Sequence, residues 1–172
     1  MSEPEEQKPR TARWTRWLRD ILVLVAVVVA VQWWQGRDLT RGDAPPLAGH
    51  LLDGRLATLG DYRGEPVLVH FWATWCPICR LEEDSIDAMA RDHAVLTVAT
   101  SSGTPEELSA YLAERDLSFD VLPDEDGDLA RLWGVSGVPA TFIVDGQGRI
   151  DHATVGYSTG WGLRARLWWA DR

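Results

Sequence analysis

FWATWCPICR, residues 71–80, holds the only two cysteines of a 172-residue chain, Cys76 and Cys79, three positions apart. A pair at that spacing can hold a metal, close a structural disulfide or exchange electrons. Metal binding is poorly served: two thiolates make half of a tetrahedral zinc shell, and His50, His70, His93 and His152 show no paired ligand spacing. A structural disulfide is poorly served too, because so small a loop restricts the unfolded chain little. Redox use fits the flanks. The apolar run VLVHF, 67–71, reads as a buried strand that passes through WATW into a helix starting at the cysteines. Cys76 then sits at a helix N-terminus, where free N–H groups and the positive dipole end stabilise a thiolate. Cys79, one turn on, is placed to resolve a mixed disulfide.

Outward from this stretch, strands and helices alternate. Before it, HLLDGRLATL carries an Asp53-Gly54 turn between short apolar segments, a hairpin signal. After it, Cys76 to about Arg91 reads as one helix, with Leu81, Ile86, Met89 and Ala90 spaced for a buried face. VLTVA, 95–99, is a second buried strand. TPEELSAYLAERD opens with a cap at Thr104, Pro105 in the first turn and Glu107 three residues after the cap, a helix start. A short segment around Phe119 to Leu122, a helix around Asp128 to Trp133, a hairpin turning at Asp145 to Gly148 and an amphipathic helix from about Trp161 to Trp169 complete the pattern. The expected fold is α/β, a mixed central sheet flanked by helices.

Charge narrows the function. Residues 41–172 carry 11 Arg against 21 Asp and Glu within a chain of net charge −9. An acidic domain argues against nucleic acid, whose phosphates need basic side chains to replace counterions.

The segment WTRWLRDILVLVAVVVAVQWW, 14–34, stands apart. Its strictly apolar heart, Ile21 to Val31, has eleven residues, but Trp17 to Trp34 is 18 residues, about 27 Å as a helix. That approaches the roughly 30 Å hydrocarbon core if Arg19 snorkels. Trp14 and Trp17 at one end and Trp33 and Trp34 at the other fit the two aromatic belts of a span. Lys8, Arg10, Arg13, Arg16 and Arg19 all precede it, so the positive-inside bias keeps the N-terminus cytoplasmic. A cleaved signal peptide is the rival reading, since Val28-Val29-Ala30 loosely fits a cleavage site; the bulky Trp33 and Trp34 that follow oppose it. The expected organisation is a cytoplasmic basic N-terminus (1–16), a transmembrane anchor (17–34), a linker rich in Gly, Pro and charge (35–45) and the folded domain (46–172).

LGDYRGEPVLVHFWATWCPIC (59–79) and GVSGVPATFIVDGQGRI (134–150) together resemble the membrane-anchored thioredoxin-like proteins of the TlpA, ResA and CcmG type. The Cys-Pro-X-Cys dipeptide and GVSGVPATFIVD are most similar to the ScsD branch, found with suppressor-of-copper-sensitivity loci. The resemblance covers about residues 46–165 and implies a thioredoxin fold with an N-terminal hairpin. It implies that Pro139 is a cis-proline packed against the disulfide, with Val138 offering its backbone to an extended substrate. Trp75 corresponds to a tryptophan that shields the redox pair, and Pro77 and Ile78 join it at the substrate-binding surface. Glu82 matches an acidic residue near the active site of relatives, although Glu83 and Asp84 depart from the aromatic and proline that often follow there. Its alternative is an ordinary solvated helix position. His70 departs further: thioredoxin holds a buried Asp at this strand position and TlpA-like relatives commonly Asn. A proton relay and a hydrogen-bonded core residue are both open for it.

The implied function is a thiol–disulfide oxidoreductase in the bacterial inner membrane, with its domain in the periplasm. It needs no cofactor beyond the dithiol, acts on protein thiols and disulfides, draws electrons from a transmembrane thiol donor and has no nucleic-acid partner. The alternative is a copper-handling or metallochaperone module on the same fold, although such proteins use a longer cysteine spacing. Pro77 lies one place earlier than the proline of thioredoxin's Cys-Gly-Pro-Cys, leaving the N–H groups of Ile78 and Cys79 free for the Cys76 thiolate. The expectation is a Cys76 pKa below thioredoxin's roughly 7 and a potential less reducing than its roughly −270 mV.

Overall fold

The computed structural model describes residues 11–35 and 39–172. The first ten residues, with Lys8 and Arg10 of the basic flank, and 36–38 of the expected linker lie outside the described residues, as do the side chains of Trp14, Trp33 and Trp34. The chain divides into two compact units, Met1–Trp34 and Gln35–Arg172.

The first unit is built on α1, Thr11–Gln35, a helix of 25 residues. Its described apolar side chains, among them Leu18, Ile21, Leu22, Leu24 and Val31, are exposed. Among the described residues, no helix is long and apolar enough to cross a membrane. The Arg19–Asp20 ion pair at 3.0 Å precedes the uninterrupted apolar run and shortens it.

The second unit is ordered around β4, Val67–Trp72, every residue of which is buried. Alternation along the strand sends Val67, Val69 and Phe71 to one face of the sheet and Leu68 and Trp72 to the other. β4 pairs in parallel with β5, Ala94–Thr100, and antiparallel with β7, Ala140–Val144. β6, Val121–Asp124, extends the sheet beside β5. On the other flank β8, Arg149–Val155, lies against β7 and is followed by the two-residue β1, Gly42–Asp43, giving the order β1-β8-β7-β4-β5-β6. A separate hairpin pairs β2, Ala48–His50, with β3, Leu56–Thr58.

One face is covered by α3 (Glu83–Ala90), α4 (Pro105–Glu114) and α6 (Gly160–Ala170), which contribute Ile86, Met89, Leu108, Leu163 and Leu167 to a core shared with Leu68, Trp72, Cys76 and Cys79. The opposite face is covered by α5, Asp128–Leu132, and the hairpin. There Phe71, Trp133 and Phe142 pack with ring centroids 4.9–5.7 Å apart. Among the described residues, both cores draw only on residues from Leu39 onward, so this unit carries its own hydrophobic cores.

Two expectations are corrected. Part of the expected linker belongs to the domain: Leu39 is buried, and β1 pairs with β8 through Gly42 and Asp43. The helix expected from Cys76 to Arg91 is two helices, α2 (Pro77–Arg80) and α3, interrupted at Leu81 and Glu82. On a wheel of about 100° per residue Leu81 lies some 80° from Met89 and about 140° from Ile86, with Glu82 between those two. Ile86 and Met89 remain buried, whereas Leu81 is turned out and 71 % exposed, with Glu82 turned in.

Candidate active site

The cysteines follow the end of β4, which lies between parallel β5 and antiparallel β7. Cys76 is the N-cap of α2 with Pro77 at its first position, where the lost N–H has no helical partner anyway. Cys76 and Cys79 are joined in a disulfide, with Cα atoms 5.3 Å apart. The Cys79 N–H donates to Cys76 Sγ at 3.1 Å, the contact that would stabilise a Cys76 thiolate after reduction. Both sulfur residues are buried, Cys76 at 4 % and Cys79 at 1 % exposure. Pro77, Ile78 and Trp75 stand exposed around them.

The Val138–Pro139 peptide bond is cis and leads into β7. It places the Val138 carbonyl oxygen 3.7 Å from Cys76 Sγ. Trp75 is not a core residue: its ring lies over the surface, and its Nε1–H donates to the Ser101 carbonyl at 3.0 Å. Ser101 holds that carbonyl in place with a left-handed backbone, φ 48°, a conformation that costs a non-glycine residue energy and accumulates at functional sites. Its neighbour Ser102 accepts the Thr74 N–H at 3.1 Å, pinning the WATW loop.

On the same sheet face as the cysteines lies a buried polar group. His70 is 3 % exposed, and its Nδ1 shares a hydrogen bond of 2.9 Å with the Thr141 hydroxyl. Its Nε2 faces Glu82 Oε2 at 3.9 Å. Glu82, 1 % exposed, is no solvated helix position; Oε1 accepts the backbone N–H of Ser158, and Oε2 has no hydrogen-bond partner among the described residues. Burial pushes the Glu82 carboxyl up to about 7 against the opposing pull of that N–H, and lowers the His70 imidazole to about 4. Between those values both groups are neutral, so their approach is not an ion pair. Glu83, beside it, is buried in a different network with the Tyr111 hydroxyl and Arg115.

The structure thus gathers Cys76, Cys79, Val138 and Pro139 at one point, with His70 and Glu82 facing each other on that side of the sheet. Thr141, Ser101, Ser102 and Ser158 were not found by sequence reasoning. A serine pair directly after a parallel strand was the available signal for two of them, since loops at the carboxyl ends of parallel strands build sites. Ser158 contributes only a backbone N–H and left no signal. Among the described residues, no three His, Cys, Asp or Glu side chains converge as metal ligands.

A dithiol at a helix N-terminus facing a cis-proline, on a thioredoxin fold, defines a thioredoxin-like redox site. Residues 41–153 match the AhpC/TSA family, and the chain belongs to that family. A thioredoxin-like protein of Haemophilus influenzae is 33 % identical over 63 % of this chain, which spans 65 % of that relative's length. The thiol:disulfide interchange protein DsbE of Pseudomonas fluorescens is 31 % identical, with 82 % of this chain and 85 % of the relative covered. A crystal structure from Chlorobium tepidum assigned as a thiol:disulfide interchange protein DsbE superposes with a TM-score of 0.69 at 28 % identity, covering 78 % of this chain and 99 % of that one.

Proposed function

We propose that the protein is a membrane-anchored thiol–disulfide oxidoreductase that reduces disulfides of exported proteins. The observation that carries the dithiol chemistry is the N–H of Cys79 on Cys76 Sγ at the start of α2. In the reduced form the Cys76 thiolate attacks one sulfur of a substrate disulfide, forming a mixed disulfide and releasing the other substrate sulfur as a thiolate. Cys79, deprotonated with Glu82 as acceptor, then attacks Cys76 Sγ. The second substrate thiol leaves, two electrons have passed to the substrate, and the Cys76–Cys79 disulfide remains. A transmembrane thiol donor reverses the sequence on the protein's own disulfide.

The anchor reading is supported by the 25-residue length of α1, its exposed apolar side chains and the tryptophans and basic residues of its sequence. The bias of those basic residues supports a dithiol domain that faces the periplasm. Proximity to a membrane donor favours reduction over oxidation as the direction of flow.

The direct test is covalent trapping. Cys79→Ser should reduce no insulin but accumulate a mixed disulfide with substrate, detected by mass spectrometry of the full chain. Cys76→Ser should give neither product. A mixed disulfide that forms through Cys79 in the Cys76→Ser protein would overturn the assignment of the attacking sulfur.

A further inference from the structure

Helix α6 presents an unusual face to solvent. At about 100° per residue, Trp161, Trp168 and Trp169 fall within roughly a 100° arc. They are 86 %, 55 % and 72 % exposed, while Leu163 and Leu167 on the far side are buried in the core. Three open indole rings on one helix are costly in water and mark a contact surface. Basic residues border them: Arg164 on one edge, Arg166 on the other, and Arg172 stacked over the Trp168 ring at 3.7 Å. Residues 160–172 hold three arginines and one acid, Asp171, inside a domain where acids outnumber arginines about two to one. Arg164 reaches Asp92 at 3.1 Å, an exposed pair weak enough to exchange its partner for a phosphate.

We infer that this face of α6 docks on the surface of an anionic bilayer. Indole rings prefer the boundary between headgroups and acyl chains, where the ring is apolar and the N–H stays wet. The bordering guanidiniums match lipid phosphates. The rest of the domain is acidic and is repelled by the same surface, so α6 is the side that an anionic bilayer selects. This contact goes beyond the redox reading and uses no property of α1.

The test uses residues 35–172, which contain both cores. This domain should pellet with phosphatidylcholine vesicles containing phosphatidylglycerol, with a blue-shifted tryptophan emission, and remain in the supernatant with phosphatidylcholine alone. Arg166→Gln and Arg172→Gln should each weaken partitioning about fivefold, and added salt should do the same. The triple variant Trp161→Ser, Trp168→Ser, Trp169→Ser should lose pelleting while keeping the circular dichroism and insulin-reduction activity of the parent. A parent domain that does not pellet, or a triple variant that pellets equally, overturns the proposal. So does a parent domain that dimerises without lipid and a triple variant that does not, which would make this face a contact between copies. None of these outcomes bears on dithiol exchange or on α1, which this domain lacks.

Discussion

At the scale of the residue, Glu82 carries the clearest consequence. Its carboxyl is held neutral up to about pH 7 by burial, so it becomes a proton acceptor only near and above neutrality. Release of the second substrate thiol from a preformed mixed disulfide should therefore accelerate as pH rises through 7 and become nearly flat in Glu82→Gln, followed by single-turnover kinetics. Stability follows the same titration with a definite sign. A carboxyl whose folded pKa is raised contributes most below its ordinary value of 4.5 and loses that contribution as pH rises through 7. Relative to Glu82→Gln, the wild type should lose up to roughly 3 kcal/mol across that window in denaturant titrations. His70 runs the other way. Its lowered pKa makes its contribution complete above 6.5 and lost as pH falls through about 4, so His70→Asn should blunt the acid-side loss.

Among the elements, Leu81 at the break between α2 and α3 is exposed while Ile86 within α3 is buried. Leu81→Ser should change stability by less than about 0.5 kcal/mol, whereas Ile86→Ala should cost about 2–5 kcal/mol by urea denaturation. At α4, Thr104 Oγ1 accepts the Glu107 N–H and Glu107 returns a carboxylate to the Thr104 N–H at 2.9 Å. Thr104→Ala should cost about 1 kcal/mol in the same assay. The buried strands, this capping box, the Asp145–Gly148 turn and the helix at Gly160 were legible because each is written in contiguous residues. β1 was not, since two residues of glycine and aspartate carry no strand pattern and pair only because β8 supplies the edge. The α2–α3 interruption was hidden because no proline or glycine marks Leu81 and Glu82. The dithiol and Pro139 were legible as motifs. The surroundings of Glu82 were not, because Ser158 is 76 residues away and Thr141 is 71 residues from His70.

For the whole molecule, the two units set two separable questions. A reporter active only outside the cytoplasm, fused after Arg172, should be active, and the cellular protein should keep its N-terminus; a soluble form beginning near Val31 would remove the anchor from the proposed function. Acid trapping with a maleimide should find Cys76 and Cys79 mainly reduced in cells that contain the thiol donor and oxidised in cells that lack it. The link between Glu82 and the loop ahead of α6 has a further outcome for anyone surveying this chain by substitution. Since the hydrogen is supplied by the main chain at Ser158, replacing that residue by alanine leaves the bond in place, and a side-chain scan will score the position as silent. Only proline, which has no such hydrogen, or an ester in place of the amide would expose it. The hydrogen that counters the burial of this acid is thus written in the path of the chain, where neither residue identity nor a list of tolerated replacements records it.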